Sequence, residues 1–348
     1  LDQGMDAAVP TLAERFRAAG FSTSALVFDC TWLSPRWGFG KGFDSYRVTR
    51  WRAGRQARAA AEWVLDHRDE DFFFFLHTFE PHSDFAILPY EAPGLSQRTI
   101  ADEFGVQGFG CRRGRCGARF VTALSNDEVP VRPEDAAILR TTYSRGVTYL
   151  DASLGELFDA LRQSGVWDDL LVVVTSDHGE AFAEHQSFGH HTLYDEILRV
   201  PLIVKWPRGE HAGVVNGIPS SGVDIAPTLL EHAGLSFTGM PGSPLRARNQ
   251  GSPILAGTLD HAVVSGGFKA IFSNRRPPAL FDLQEDPGEM VDLAEARPEV
   301  LEELQEILAA RRREALALYR SFGPTGNGAA VELGERERER LEAFGYLQ

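Results

Sequence analysis

Cysteine is scarce in this chain, because Cys30, Cys111 and Cys116 are the only three in its 348 residues. Three thiols cannot form the disulfide framework that stabilises many small secreted domains. Cys111 and Cys116 flank an arginine-rich loop, where they could form a bridge, bind a metal or remain free. Since 43% of the residues are hydrophobic, we expect the fold to depend on an ordinary apolar core.

Long apolar runs and excess basic charge are also missing. Runs such as FFFFL at 72–76 are far shorter than the roughly 20 residues that cross a bilayer, so no membrane span is predicted. Acidic residues outnumber basic ones by 49 to 35, giving a formal net charge of −14, and this disfavours nonspecific binding to nucleic acid. A pocket for an anionic substrate would therefore need local positive charge from a metal or from imidazole.

Most of the residues capable of chemistry lie between positions 170 and 204. The apolar run LLVVV at 170–174 predicts a strand buried on both faces, as in a parallel sheet. The polar sequence TSDHGE follows it directly, so Asp177 and His178 come at the carboxyl end of the predicted strand. Open α/β sheets bind their ligands at that edge.

Asp177 and His178 offer a carboxylate and an imidazole side by side, which suits a divalent metal ion. Two interpretations remain open for the pair alone, since Asp177 could instead cap the next helix by bonding to the backbone. The histidine content favours a ligand site. Four of the ten histidines, including His178 and His190, lie in the fourteen residues 178–191. Imidazoles clustered at such an edge usually serve metal, anion or proton chemistry.

The stretch SDHGEAFAEHQSFGHHTLYDEILRVPLIVKWP resembles a signature block of the sulfatase family, within the alkaline-phosphatase-like superfamily. The resemblance implies that Asp177 and His178 are metal ligands, for Ca²⁺ or for Mn²⁺ or another divalent ion. It also implies that His190 binds the sulfate group. His82, in the E-P-H element after the predicted strand at 72–77, resembles an active-site histidine of the family.

The nucleophile block of that family is not found among these residues. In the family, a Cys or Ser in C-x-P-S-R or S-x-P-S-R is converted to formylglycine, and paired aspartates precede it. None of the three cysteines stands in such a block, and Cys30 heads CTWLSPR, in which Ser34-Pro35-Arg36 falls too far on. The sequence resembles one that starts partway into a longer protein. We therefore expect the formylglycine upstream of Leu1.

The polar residues at the carboxyl end of a predicted strand and the family resemblance both point to an α/β protein. The resemblance implies a three-layer alkaline-phosphatase-like domain with a central, mostly parallel sheet, plus a small α+β C-terminal subdomain. The predicted parts are a catalytic domain at 1–238, the C-terminal subdomain at 239–322 and a tail helix at 323–348, with an insertion loop at 86–133 and a Gly-, Pro- and Ser-rich boundary at 241–257.

The function that the resemblance implies is hydrolysis of a sulfate ester, carried by a small molecule or a carbohydrate. One alternative is a phosphonate or phosphodiester hydrolase of the same superfamily, because the residues present are common to both. A second is a catalytically inactive fragment, because the nucleophile and half of the metal site are absent from the printed residues. The compartment stays unknown, although the resemblance implies a periplasmic or secreted protein.

Overall fold

The structure is a computed structural model that describes residues 4–82, 133–249, 251–257 and 260–322. The helices are α1 (Leu12–Ala18), α2 (Ala53–Asp66), α3 (Pro133–Ser164), α4 (Asp195–Leu198), α5 (Ile225–His232) and α6 (Pro298–Ser321). The strands are β1 (Ser22–Phe28), β2 (Ser45–Thr49), β3 (Phe72–His77), β4 (Val172–Thr175), β5 (Ala181–Phe182), β6 (Phe188–Gly189), β7 (Leu202–Lys205), β8 (Ile254–Gly257), β9 (His261–Ser265), β10 (Phe268–Phe272) and β11 (Ala279–Asp282).

The described residues form two compact units. The first unit contains the residues up to Leu170 together with Phe182–Gly189. The second contains 171–181 and the described residues from His190 onward. The chain thus leaves the second unit and returns to it between the Asp177–His178 turn and His190.

The first unit contains a three-stranded parallel sheet in the order β2-β1-β3. The three-residue spacing of Thr11 and Glu14 predicts a helix start, and α1 confirms it, because the two residues form a reciprocal capping box that satisfies backbone donors. β1 is almost fully buried, whereas β3 is only partly buried and Phe75 is 39% exposed. The prediction of a strand at 72–77 is confirmed.

Helices α2 and α3 pack against each other through small residues in the first unit. Ala57, Ala60 and Ala61 of α2 are buried with Leu157 and Leu161 of α3 in one apolar cluster. Alanines allow the two helix backbones to approach closely, so the leucines of α3 fill the space between them. Apolar residues at spacings of three and four, among them Leu154, Leu157 and Leu161, predict an amphipathic helix, and the packing of α3 confirms it.

In the second unit, β4 pairs with β7 in an antiparallel arrangement. The sequence predicted a parallel strand buried on both faces, and both expectations are wrong for the described pairing, since the β4 residues are partly or largely exposed. The physical reason is that a run of β-branched residues favours a strand but carries no information about the direction of its neighbour. The polar turn nevertheless follows β4 as predicted.

The C-terminal part of the second unit is an antiparallel sheet in the order β11-β10-β9-β8 with α6 beside it. Leu304 and Leu308 of α6 are buried against Val263, Ala270 and Leu280 of the sheet. This α+β arrangement agrees with the predicted subdomain type. Strand β8 was missed, because its residues lie in the stretch interpreted as a Gly-, Pro- and Ser-rich boundary.

Two segments predicted from sequence lie wholly or almost wholly outside the described residues. The insertion at 86–133, with Cys111 and Cys116, lies outside the described residues except for Pro133, where α3 begins. The tail helix at 323–348 also lies outside them. Among the helices that the structure describes, none is both long enough and apolar enough to cross a bilayer.

Candidate metal and anion site

The polar turn after β4 is held by its own short hydrogen bonds. Ser176 donates its hydroxyl to the carbonyl oxygen of His178 at 2.8 Å. The backbone N–H of His178 donates to Oδ1 of Asp177 at 3.0 Å. These bonds fix the path of the backbone where the strand ends, so Asp177 and His178 are presented from the same turn.

Gly179 anchors this turn to α4. Its N–H donates to the carbonyl oxygen of Ile197 at 2.7 Å. A Cβ atom placed on Gly179 would lie 2.0 Å from the carbonyl oxygen of Glu196, which is closer than any side chain allows. Glycine is therefore required here by the close approach of two backbone segments.

The hydrogen bond of His178 determines its tautomer. Its Nδ1 atom lies 2.9 Å from the carbonyl oxygen of Gly179. A carbonyl oxygen can only accept, so Nδ1 carries the proton and Nε2 is the acceptor nitrogen of the neutral tautomer. A backbone carbonyl bonded to one ring nitrogen is the usual arrangement behind a metal-ligating histidine.

The donors of this turn fit a divalent metal ion. Nε2 of His178 lies 3.8 Å from Oδ1 of Asp177, and the Asp177 side chain is 81% exposed. Metal–ligand bonds of about 2.0–2.6 Å allow one ion to contact two atoms at this separation. The carboxylate and the imidazole would form only part of a coordination sphere, because Ca²⁺ takes about six to eight ligands.

His190 lies directly against His178. The two rings are stacked with centroids 4.1 Å apart and an angle of 24° between their planes, and ligating nitrogens of the two lie within 4.8 Å of each other. The His190 side chain is 5% exposed, and its Nδ1 lies 3.5 Å from a carboxylate oxygen of Glu180, which is 3% exposed. The buried Glu180 carboxylate thus lies beside the His190 ring, which contacts the candidate metal ligand.

His191 extends the cluster of imidazoles. Its ring centroid lies 5.2 Å from that of His190. Burial lowers the pKa of His191 from its ordinary value, the neighbouring His190 and His178 act in the same direction, and Glu180 opposes them. His191 is therefore held in its neutral form near pH 7 and adds a polar but uncharged ring to this group.

His82 belongs to the first unit, in the turn after β3. Its N–H donates to the carbonyl oxygen of Phe79 at 3.1 Å, and its ring stacks on that of Phe79 with centroids 4.1 Å apart. The buried carboxylate of Glu80 accepts hydrogen bonds from the N–H groups of Phe79 and Ala53, which fastens the turn to the start of α2. His82 is thus fixed at the carboxyl end of the parallel sheet.

The structure brings together three of the four residues predicted from sequence, Asp177, His178 and His190, in the second unit, and places His82 in the first. Sequence reasoning missed Glu180 as a partner of His190. The signal was available, because an acidic residue between Gly179 and the buried pair Ala181 and Phe182 is unusual unless a cation or a hydrogen bond compensates it.

The amino-acid sequence of the chain is similar to those of known proteins. The sequence profile of the Sulfatase family matches residues 4–235. The chain is 29% identical over 195 residues to the choline-sulfatase of Rhizobium meliloti (strain 1021), a match covering 51% of this chain and 37% of that protein. It is 30% identical over 194 residues to arylsulfatase K of Bos taurus, covering 49% of this chain and 36% of that protein. The chain thus spans well under half the length of these relatives.

Solved structures show the same fold. The structure of BT4656 in complex with its substrate D-glucosamine-2-N,6-O-disulfate superimposes with a TM-score of 0.65 at 17% identity, covering 90% of this chain and 83% of that one. The phosphonate monoester hydrolase of Agrobacterium radiobacter gives a TM-score of 0.61 at 18% identity, covering 96% and 84%. The predicted α/β, alkaline-phosphatase-like fold is confirmed. The profile match over residues 4–235 establishes that the chain belongs to the sulfatase family.

Proposed function

We propose that the protein containing this chain is a sulfuric ester hydrolase that uses a divalent metal ion. The observation that carries the proposal is the arrangement at the turn after β4. There, Nε2 of His178 lies 3.8 Å from the Asp177 carboxylate, and the buried ring of His190 stacks on His178. Membership of the sulfatase family supports the same reaction.

The proposed metal ligands in this chain are Asp177 and His178. When bound, a divalent cation supplies Lewis-acid stabilisation of negative charge on a sulfate oxygen. We propose Ca²⁺, because carboxylate oxygen suits a hard cation, with Mn²⁺ or another divalent ion as the alternative, because an imidazole ligand suits softer metals. The bond from His178 to the carbonyl oxygen of Gly179 keeps the ring oriented for this role.

His190 is the proposed anion-binding residue of the chain. A ring N–H can donate to a sulfate oxygen and offset the charge that develops there during transfer of the group. Glu180 keeps the ring from turning away, since its carboxylate lies 3.5 Å from Nδ1. From the resemblance of its E-P-H element, His82 is proposed to contact the sulfate, and His82 or His190 protonates the leaving oxygen as general acid.

The nucleophile of the proposal is a formylglycine. Because no C-x-P-S-R or S-x-P-S-R block occurs among the printed residues, the proposal assigns it to a segment that precedes Leu1 in the native polypeptide. Two alternative functions remain. A phosphonate or phosphodiester hydrolase is supported by the fold shared with the phosphonate monoester hydrolase of Agrobacterium radiobacter. An inactive protein would lack the nucleophile altogether.

The proposed substrate is a sulfate ester of a small molecule or a carbohydrate. The names of similar proteins support this class, because one is an N-acetylglucosamine-6-O-sulfatase of Bacteroides thetaiotaomicron, 37% identical over 93 residues that cover 27% of this chain and 17% of that protein. A periplasmic or secreted location is proposed with it, and fractionation of source cells with an antibody to the chain tests that location.

The test of the function is sulfate release from an aryl sulfate by the native polypeptide. We expect inorganic sulfate to appear with wild-type protein, and the rate to fall about 10²–10⁴-fold in His190→Ala, the range typical of lost acid–base and charge-stabilising groups. His211→Ala serves as the matched control, because His211 is an exposed loop residue beside Glu210. Undetectable sulfate release by wild-type protein, or equal rates in the two variants, would contradict the proposal.

A further inference from the structure

The ammonium group of Lys269 is fully buried in the second unit. Lys269 lies on β10 with a side-chain exposure of 0%, and its Nζ is 2.7 Å from Oε1 of Glu289 and 2.9 Å from Oδ1 of Asp195. A buried charge requires opposite charges and hydrogen bonds close by, because it has lost its hydration. The two carboxylates come from distant parts of the chain, so Lys269 joins three segments at one point.

Glu289 occupies a constrained position in this cluster. Its backbone has φ +54°, in the left-handed region that residues other than glycine seldom adopt. Its Oε2 atom accepts a hydrogen bond from the N–H of Asp195 at 2.7 Å. Burial raises the pKa of Glu289 and the bond from Lys269 opposes this. The surrounding contacts therefore hold Glu289 in a conformation that it would not adopt by itself.

The short helix α4 and two hydrogen bonds connect this cluster to His178. Asp195 is the first residue of α4, and two residues later the carbonyl oxygen of Ile197 accepts from the N–H of Gly179 at 2.7 Å. The carbonyl oxygen of Gly179 in turn accepts from Nδ1 of His178 at 2.9 Å. Asp195 therefore begins the helix that holds the turn of Gly179 in place.

Buried ion pairs contribute little net stability in many proteins, because the loss of hydration offsets their attraction. Stability alone is then a weak reason for a buried cluster of one ammonium and two carboxylates. A cluster of this kind does fix geometry, because each charge must keep its partners at short distance.

We propose that Lys269, together with Glu289, is a positioning residue that fixes α4 and thereby the orientation of the His178 ring. The C-terminal sheet thus takes part in building the candidate metal site, although it supplies none of the proposed ligands. The inference rests on the proposed function only for the role of His178 as a metal ligand.

The test uses the full 348-residue chain and two readouts that need no turnover. The first readout is the hydrogen-exchange rate of the Gly179 amide. The second is the ¹H–¹⁵N spectrum of the histidine rings, which reports the tautomer and environment of His178. In Lys269→Met we expect the Gly179 amide to exchange at least about tenfold faster and the His178 ring signals to shift. The physical reason is that loss of Lys269 leaves the buried Glu289 carboxylate and the partly exposed Asp195 carboxylate to repel each other beside α4.

Arg248→Met is the matched control. Arg248 is also buried in the second unit, 3.4 Å from the fully buried Asp224, and it bonds to the carbonyl oxygens of Pro219 and Ser252. Its loss should destabilise the unit without moving the His178 signals. Unchanged Gly179 exchange and His178 signals in Lys269→Met, or equal shifts in Arg248→Met, would overturn the proposal.

Asp195→Asn keeps the proposal testable if Lys269→Met does not fold. The Asp195 side chain is 30% exposed, so the neutral amide can be accommodated while the bond from its N–H to Glu289 remains. We expect the same His178 shift with smaller amplitude, and no shift would contradict the inference. If sulfate release is absent while these shifts are found, the proposed function fails and the positioning role stands.

Discussion

The imidazole rings of His178 and His190 are stacked face to face, with their centroids 4.1 Å apart. One ring is the candidate metal ligand and the other the candidate anion-binding group. Because they touch, a sulfate bound by His190 would lie next to a metal held by His178. The two residues to which the family resemblance gives these roles are therefore in direct contact.

The tautomer of His178 is the first prediction. We expect ¹H–¹⁵N spectra of the full chain to show His178 protonated at Nδ1, because that atom donates to the carbonyl oxygen of Gly179 at 2.9 Å. His190→Ala should shift the His178 ring signals by removing the stacked ring, while His232→Ala should leave them unchanged. A His178 ring protonated at Nε2 would contradict the metal-ligand assignment.

Substitution of Gly179 gives the second prediction. Gly179→Ala should destabilise the second unit by about 1–3 kcal/mol, since the added methyl group meets the carbonyl oxygen of Glu196 and must push α4 away. Urea unfolding measures this loss. Gly155→Ala, at a helical glycine with open space around its Cβ position, should be neutral or slightly stabilising. Equal stability of wild type and Gly179→Ala would show that the close approach is not maintained in solution.

Metal binding gives the third prediction. A divalent ion that binds only the native state raises the melting temperature as its concentration increases. We expect Ca²⁺ or Mn²⁺ to raise the melting temperature of the wild-type chain and this rise to be lost in Asp177→Asn. Asp69→Asn is the control, because that side chain is 91% exposed and lies in a different turn. If Asp177→Asn responds to both ions as wild type does, Asp177 is not a ligand.

The pH dependence of stability gives the fourth prediction, at Asp44 in the first unit. Hydrogen bonds from the backbone and hydroxyl of Thr23 lower the pKa of Asp44 from its ordinary value of 3.8, burial opposes them, and Arg17 adds to the lowering. A depressed carboxyl pKa stabilises the native state above the unfolded value, and this contribution is lost as the pH falls through the folded value.

Urea unfolding of Asp44→Asn and wild type at several pH values checks this sign. We expect the variant to be less stable at pH 7 and the difference to shrink below about pH 4, as the Asp44 carboxyl of the wild type takes up a proton and becomes neutral like the amide of the variant. Asp159→Asn is the control, since Asp159 forms only an exposed pair with Arg162. A stability difference that stays constant down to pH 2 would be the contrary result.

Sequence reasoning was most successful where local physics decides structure. Thr11 and Glu14 predicted the start of α1, because a capping box depends on residues three positions apart. The aromatic run at 72–77 predicted β3 with its observed bounds. The roles of Asp177, His178 and His190 stay predictions, although the structure places His178 beside both of the others.

Sequence reasoning failed where the answer depends on residues far apart in the chain. The direction of β4 is set by its pairing with β7, which its own side chains do not encode. The side chains of Glu180 and His190 lie next to each other although the two residues are ten positions apart in the sequence. Lys269 reads as an ordinary strand residue until Asp195 and Glu289 are placed around it, because neither partner is near it in sequence.

The most direct test of the account compares kcat/KM of the native polypeptide for an aryl sulfate and for the phosphonate monoester with the same aryl leaving group. A sulfuric ester hydrolase is expected to favour the sulfate, and Asp177→Asn should reduce both rates together because the metal site serves either group. A clear preference for the phosphonate, or no hydrolysis of the sulfate, would contradict the central claim that this chain forms the metal and anion site of a sulfatase.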